Sequence, residues 1–239
     1  MKKYGTLLNS FGGGNRSLGF TLAEVLVTLG IIGVVSAMTL PTLVKNHQRT
    51  VYVTQLQKVV NELSQAAEKA IQENNAISLG ETKYSGLNAN GARDFLNDNF
   101  KVVQNCNTDL TPCFADSYKR LDGSVFTLEN PITVVSLASG ASISVFEQSN
   151  MKFNPYDWEP GSSLYLAHGY YQLQVDVNGV QGPNILGRDL FYMELYSDGK
   201  VGESYIGDDW HADYCGETDQ SYGFGCLSKI MQDGWKMDY

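Results

Sequence analysis

Between Phe20 and Leu40 the chain reads FTLAEVLVTLGIIGVVSAMTL, an apolar run with a single charged residue, Glu24. The run continues to Val44, and at 1.5 Å per residue it spans roughly 37 Å as a helix, enough to cross the hydrocarbon of a bilayer. A helix of this composition is apolar on every side, so it needs lipid or other helices around it. An ionised carboxylate in that setting costs several kcal/mol unless something pairs with it, and it marks a functional position. Locally, Thr21-Leu22-Ala23-Glu24 fits the Ser/Thr-x-x-Glu capping box, and an acid in the first turn complements the helix dipole.

The flanks separate this run from an ordinary signal peptide. Residues 1–19 carry Lys2, Lys3 and Arg16, no acid, and no apolar core of their own before the run begins. Lys45 and Arg49 follow it, so the positive-inside count leans only towards an N-terminus inside. Pro41 removes one backbone donor and predicts a kink. Beyond it Val53, Leu56, Val59, Val60, Leu63, Ala67, Ala70 and Ile71 recur at i, i+3, i+4, i+7 spacing, with Gln, Lys, Asn and Glu between them. The spacing predicts one long helix over about 20–76, greasy in its first half and amphipathic in its second, with Gly80 as a stop. Four segments follow: 1–19, a leader; 20–44, the membrane half of the helix; 45–76, the amphipathic half; and 77–239, a globular β domain.

Residues 78–122 are polar and irregular, with NGARDFLNDNF as a short helix and CNTDLTPC as a loop. From 123 the period changes to two, in SVFTLE, ITVVSLA and SISVFEQ. In YYQLQVDV, residues Tyr171, Leu173, Val175 and Val177 fall on one face and Gln172, Gln174 and Asp176 on the other, the pattern of a half-buried antiparallel strand. DLFYMELYSDGKVGESYI reads as a hairpin turning at Asp198-Gly199. CLSKIMQDGWKMDY gives one helical turn and a tail. The fold class is α+β, a long N-terminal helix on an antiparallel sheet.

Four cysteines occur as two close pairs, Cys106/Cys113 and Cys215/Cys226, without CxxC metal spacing. An even count in an exported chain favours disulfides, and the two local bridges are the simplest of three connectivities. The formal charge is −9. Without residues 1–19 it becomes −12, from 14 basic and 26 acidic residues, which disfavours nucleic-acid binding. DVNGVQGPN offers Asp176, Asn178 and Asn184, with Asp189 nearby, as oxygen ligands for calcium; a Gly/Asn loop bonding its own backbone explains the same residues. GDDWHADYCGETD gathers Asp208, Asp209, His211, Asp213, Glu217 and Asp219 and reads as a solvated acidic loop more readily than as a metal site. With three histidines, His47, His168 and His211, and no GxSxG, HExxH or P-loop pattern, no catalytic constellation stands out and no cofactor is expected.

GFTLAEVLVTLGIIGVV resembles the processing site of type IV prepilins and of type II secretion pseudopilins. In that family a basic leader ends in Gly, here Gly19; the next residue is usually Phe, here Phe20; the fifth mature residue is Glu, here Glu24; and a helix-bending Pro follows, here Pro41. The segment VDVNGVQGPNILGRDLFYMELYSDGKV and the ending GWKMDY are similar to segments of pilin-like sheets. The resemblance implies cleavage between Gly19 and Phe20 by an inner-membrane prepilin peptidase, N-methylation of Phe20, and a pilin-like fold. It further implies a non-enzymatic subunit, held in the inner membrane by a single pass with its globular domain periplasmic or outside. That subunit would be built with other pilin or pseudopilin subunits into a helical filament. The size favours a minor subunit; a surface adhesin or DNA-uptake pilin acting through its loops is the alternative.

Overall fold

The computed structural model describes residues 19–84, 89–146, 169–203, 215–216 and 225–239. The chain divides into two compact units, Met1–Lys45 and Asn46–Tyr239. One helix, α1 (Leu22–Glu73), runs through both and continues past Pro41.

Within the second unit α1 buries Val53, Leu56, Val59, Val60, Leu63, Ala66, Ala67 and Ala70. This is the stripe expected from the spacing, except that Ala66 joins it and Ile71 is only half-buried; each fully buried large aliphatic side chain contributes roughly 1.5–3 kcal/mol. The helix ends earlier than Gly80. Asn75 adopts a left-handed backbone (φ 49°), Asn75 N–H bonds to Gln72 O at 3.1 Å and Ala76 N–H to Ile71 O at 3.0 Å. That pair of bonds is a Schellman C-cap, with Asn in the place usually held by Gly. Gly80 lies instead in a short 3₁₀ turn, Leu79–Glu81.

Among the described residues, eight strands follow α2 (Ala89–Asn99): β1 (Val102–Asn107), β2 (Tyr118–Lys119), β3 (Val125–Phe126), β4 (Pro131–Leu137), β5 (Ser142–Phe146), β6 (Gly169–Asp176), β7 (Leu190–Tyr196) and β8 (Val201–Gly202), and then α3 (Cys226–Gln232). Six of the strands form one antiparallel sheet in the order β1-β4-β5-β6-β7-β8, and β2 and β3 form a separate hairpin. Among the described residues β1 and β8 form the two edges of this sheet. The β7–β8 connection turns at Asp198-Gly199, as the sequence predicts.

One face of the sheet shares a core with α1: Val135, Leu137, Ile143, Val145, Tyr171, Leu173, Val175, Phe191, Met193 and Leu195 belong to the same buried cluster as the α1 stripe. The other face corrects the half-buried reading of β6. Gln174 and Asp176 are fully buried, because a second cluster covers them, formed by Cys106, Cys113, Phe114, Tyr118, Phe126, Phe146, Leu190 and Tyr192. The loop closed by Cys106–Cys113 and the β2–β3 hairpin supply the cover. Part of its polar floor is bonded within the chain: the Ser142 hydroxyl donates to Cys113 O at 2.6 Å and Gln174 Nε2 to the Tyr192 hydroxyl at 2.6 Å, while Gln174 Oε1 and Ser144 Oγ are buried without a partner among the described residues.

Candidate functional site

The apolar half of α1 lies in the first unit, where Gly19 and Phe20 precede the helix. Phe20 is 87 % exposed, and the large apolar side chains from Leu22 to Val44 are exposed too. An 18-residue apolar window in this helix is long enough to cross a membrane, and none of it is buried. A Cβ added at Gly19, Gly30 or Gly33 would meet nothing within 4 Å. The chain's own packing therefore explains none of these glycines, although each of the two inside the helix costs about 1 kcal/mol of helix propensity relative to Ala. Small residues on a lipid-facing helix suit close approach by another helix.

Glu24 is where the capping box places it. Thr21 N–H donates to Glu24 Oε2 at 2.8 Å, the Thr21 hydroxyl donates to the same oxygen at 2.8 Å, and Glu24 N–H donates to Thr21 Oγ1 at 3.2 Å. Both donors converge on Oε2. Among the described residues none donates to Oε1, so the cap leaves one carboxylate oxygen open to a further donor.

The four calcium candidates surround the β6–β7 connection. Asp176 Oδ2 accepts the Tyr118 hydroxyl at 2.6 Å and its Oδ1 accepts Asn178 N–H at 3.1 Å. Asp189 accepts Asn184 N–H at 2.7 Å and Ile185 N–H at 2.6 Å, one on each oxygen. Asn178 Nδ2 donates to Gly182 O at 3.2 Å. All four carboxylate oxygens thus take donors from the chain itself, and the loop is held by its own backbone in the manner of Asx turns. The Oδ1 atoms of Asn178 and Asn184 are buried without a hydrogen-bond partner. No group of three or more His, Cys, Asp or Glu among the described residues is placed to hold a metal ion. Burial pushes the Asp176 carboxyl up to about 8 against the opposing Tyr118 hydrogen bond, and burial raises Asp189 as well. The loop approaches its neighbours closely: a Cβ at Gly179 (φ +66°) would sit 2.9 Å from Gly140 O.

Both local disulfides are formed, Cys106–Cys113 and Cys215–Cys226. The second one ties α3 to the chain leaving β8. Around it the structure adds a residue the sequence did not single out. Glu203 is 5 % exposed and accepts Gly225 N–H and Ser228 N–H, each at 2.9 Å. It serves as a remote N-cap for α3, whose own N-cap residue, Gly225, has no side-chain acceptor. Burial pushes its carboxyl up to about 7. Tyr118 is the other residue missed. Its partner Asp176 is 58 positions away, and no local pattern links the two. The acidic stretch Asp208, Asp209, His211, Asp213, Glu217 and Asp219 lies outside the described residues.

No curated protein and no solved structure matches the chain. Residues 14–40 match the family model described as the prokaryotic N-terminal methylation motif. That segment contains Gly19, Phe20, the Thr21–Glu24 cap and most of the exposed apolar helix, so the chain carries the signature of type IV prepilins and pseudopilins.

Proposed function

We propose that this chain is a non-enzymatic structural subunit of a type IV pilus or a type II secretion pseudopilus. Prepilin peptidase cuts between Gly19 and Phe20, the new amine of Phe20 is methylated, and the subunit waits in the inner membrane on the apolar half of α1. Its sheet domain stands on the periplasmic side. Assembly then moves the apolar helix from lipid into a bundle of neighbouring helices, where Glu24 meets the Phe20 amine of an adjacent subunit. At 220 residues after removal of 1–19, the chain is large for a major subunit and fits a minor one.

The observation that carries this reading is an apolar helix with no buried residue in its membrane-length window, at the end of a chain whose remaining apolar stripe is fully packed. Such a helix has two environments open to it, lipid and other helices, and a filament subunit uses both in turn. The test is fractionation of cells that make the filament. The reading expects the chain both in inner membranes and in sheared or purified filaments. A chain confined to the membrane in cells with abundant filaments would overturn it.

A further inference from the structure

A cleft opens where α1, the end of α2 and the β1 edge of the sheet meet. Its walls carry Lys58, Glu62 and Lys69 from α1 and Lys101 just before β1, over a floor that includes Phe100 and Leu137. Three lysines against one acid give the lining a charge of +2, in a chain whose net charge without residues 1–19 is −12. Lys58 and Lys69 have only loose helical partners, Glu62 and Glu73, both at 3.8 Å, and each of these lysine side chains is more than half exposed. Exposed pairs of that kind hold weakly and re-pair readily. Lys101 makes no ion pair among the described residues. The cleft is a local basic site on an acidic chain.

The other end of β1 carries the complementary charge. Residues 106–118 hold Asp109 and Asp116, both exposed, and no Lys or Arg. The Cys106–Cys113 bridge closes the first part of this loop, and Asp109 N–H bonds to Cys106 O at 3.0 Å inside it. Asp116 stands between Phe114 and Tyr118, both buried. The Ser142 hydroxyl fastens the loop to the sheet at Cys113 O. Both carboxylates are thus presented on a fixed scaffold, which lowers the ordering cost of binding. They are held away from the cleft of their own chain. Phe114 and Tyr118 pack in the cluster on one face of the sheet, whereas the cleft lies on the face shared with α1, where Leu137 belongs to the other cluster. The six residues of β1 also separate Lys101 from the loop, a rise of about 20 Å.

We infer that the lysine cleft of one copy receives the acidic, disulfide-closed loop 106–118 of a second copy. The inference rests on the filament reading for its context but not for its geometry. A basic site on one face and an acidic one on the other make a head-to-tail contact, in which each copy uses a different surface from its neighbour. Contacts of that kind propagate into open helical arrays unless the rotation closes them into a ring. Opposite charges also fix the register of approach and raise the encounter rate. Copies of this chain therefore stand next to one another, even in a filament where it is the less abundant subunit.

The test uses the full mature chain in detergent. Equal amounts of isotope-labelled and unlabelled protein are mixed and treated with a zero-length carbodiimide coupler, and joined peptides are read by mass spectrometry. The expected products are amides between Lys58, Lys69 or Lys101 of one label and Asp109 or Asp116 of the other. Joined peptides of a single label only, or none at these positions, would overturn the inference. A second arm reverses charge. Lys58→Glu/Lys69→Glu/Lys101→Glu and Asp109→Lys/Asp116→Lys should each lower self-association about tenfold or more, because each then sets like charges against each other. A mixture of the two variants restores opposite charges at the contact and should recover association, which also shows that both variants are folded. Wild-type association by either variant alone, or no recovery in the mixture, would overturn the contact. The same coupling on native membranes and purified filaments separates the two readings. Filaments that contain the chain without the cross-link would refute the contact and spare the filament reading. The cross-link in membranes, for a chain that never enters filaments, would do the reverse.

Discussion

Replacing Glu24 separates the capping role from the proposed pairing role. The capping role uses Oε2, which receives both the Thr21 N–H and the Thr21 hydroxyl at 2.8 Å. Losing such a cap costs about 1 kcal/mol of local helix stability. The proposed pairing role uses Oε1 and the amine that cleavage creates on Phe20, about 6 Å along the axis from Glu24 and supplied by a neighbour. Left unpaired in hydrocarbon, the carboxylate costs on the order of 3 kcal/mol, roughly a hundredfold in an incorporation equilibrium. Pairing removes that penalty only in one axial register, so the charge selects register more than it adds stability. Glu24→Gln keeps an oxygen for the Thr21 donors and loses the charge; Glu24→Val loses both. Both variants are expected to insert and to be cut after Gly19 at near-normal levels, and both are expected to be depleted from filaments, measured as the ratio of filament to membrane chain by quantitative immunoblot. Normal incorporation of Glu24→Gln beside failure of Glu24→Val would mean that the cap suffices and the amine pairing is wrong. Normal incorporation of both would remove Glu24 from assembly altogether.

Other expectations concern the folded domain, all measured on the mature protein in detergent. Leu63→Ala empties a fully buried position of the α1 stripe and should lower stability by about 2–5 kcal/mol in denaturant titration. Cys106→Ser/Cys113→Ser should cost about 2–3 kcal/mol by the loop-entropy argument, and the loss should appear first as faster proteolysis between 106 and 118, where the bridge holds the cover over Asp176 and Gln174. Asp176 and Glu203 both have carboxyls raised in the folded state, to about 8 and about 7. The unfolded chain releases those protons near pH 4 and the folded chain retains them, so their contribution to stability falls as pH rises from about 4 to 8. Asp176→Asn should flatten the decline of melting temperature across that window; an unchanged slope would contradict the assignment.

Periodic patterns were legible wherever a segment meets one neighbour through one face. The α1 stripe, the turn at Asp198-Gly199 and the Thr21–Glu24 cap are all local in this sense. β1 escaped notice because it is an edge strand with register shifts at Gln104 and Asn107, and most of its side chains point to solvent, so it lacks alternation. The second face of β6 escaped because its cover arrives from Tyr118 and the Cys106–Cys113 loop, far away in sequence. A buried Gln or Asp in a strand reads as solvent-facing until its partner is known. The sequence points to Gly80 as the stop because Gly reaches the left-handed region more freely than Asn, whereas the two bonds made at Asn75 close the helix as a glycine would. At the candidate site, the residue types were legible, and the convergence of both Thr21 donors on one oxygen of Glu24 was not.

Cleavage between Gly19 and Phe20 is the step on which membrane storage and filament assembly both depend. Intact-mass measurement of the protein purified from inner membranes, with fragmentation of its first residues, reads this directly. The expected N-terminus is Phe20 carrying one added methyl group. A chain still beginning at Met1 in cells with active prepilin peptidase would contradict it. So would one cut beyond about residue 37, as an ordinary signal peptidase acting after the apolar run would leave it.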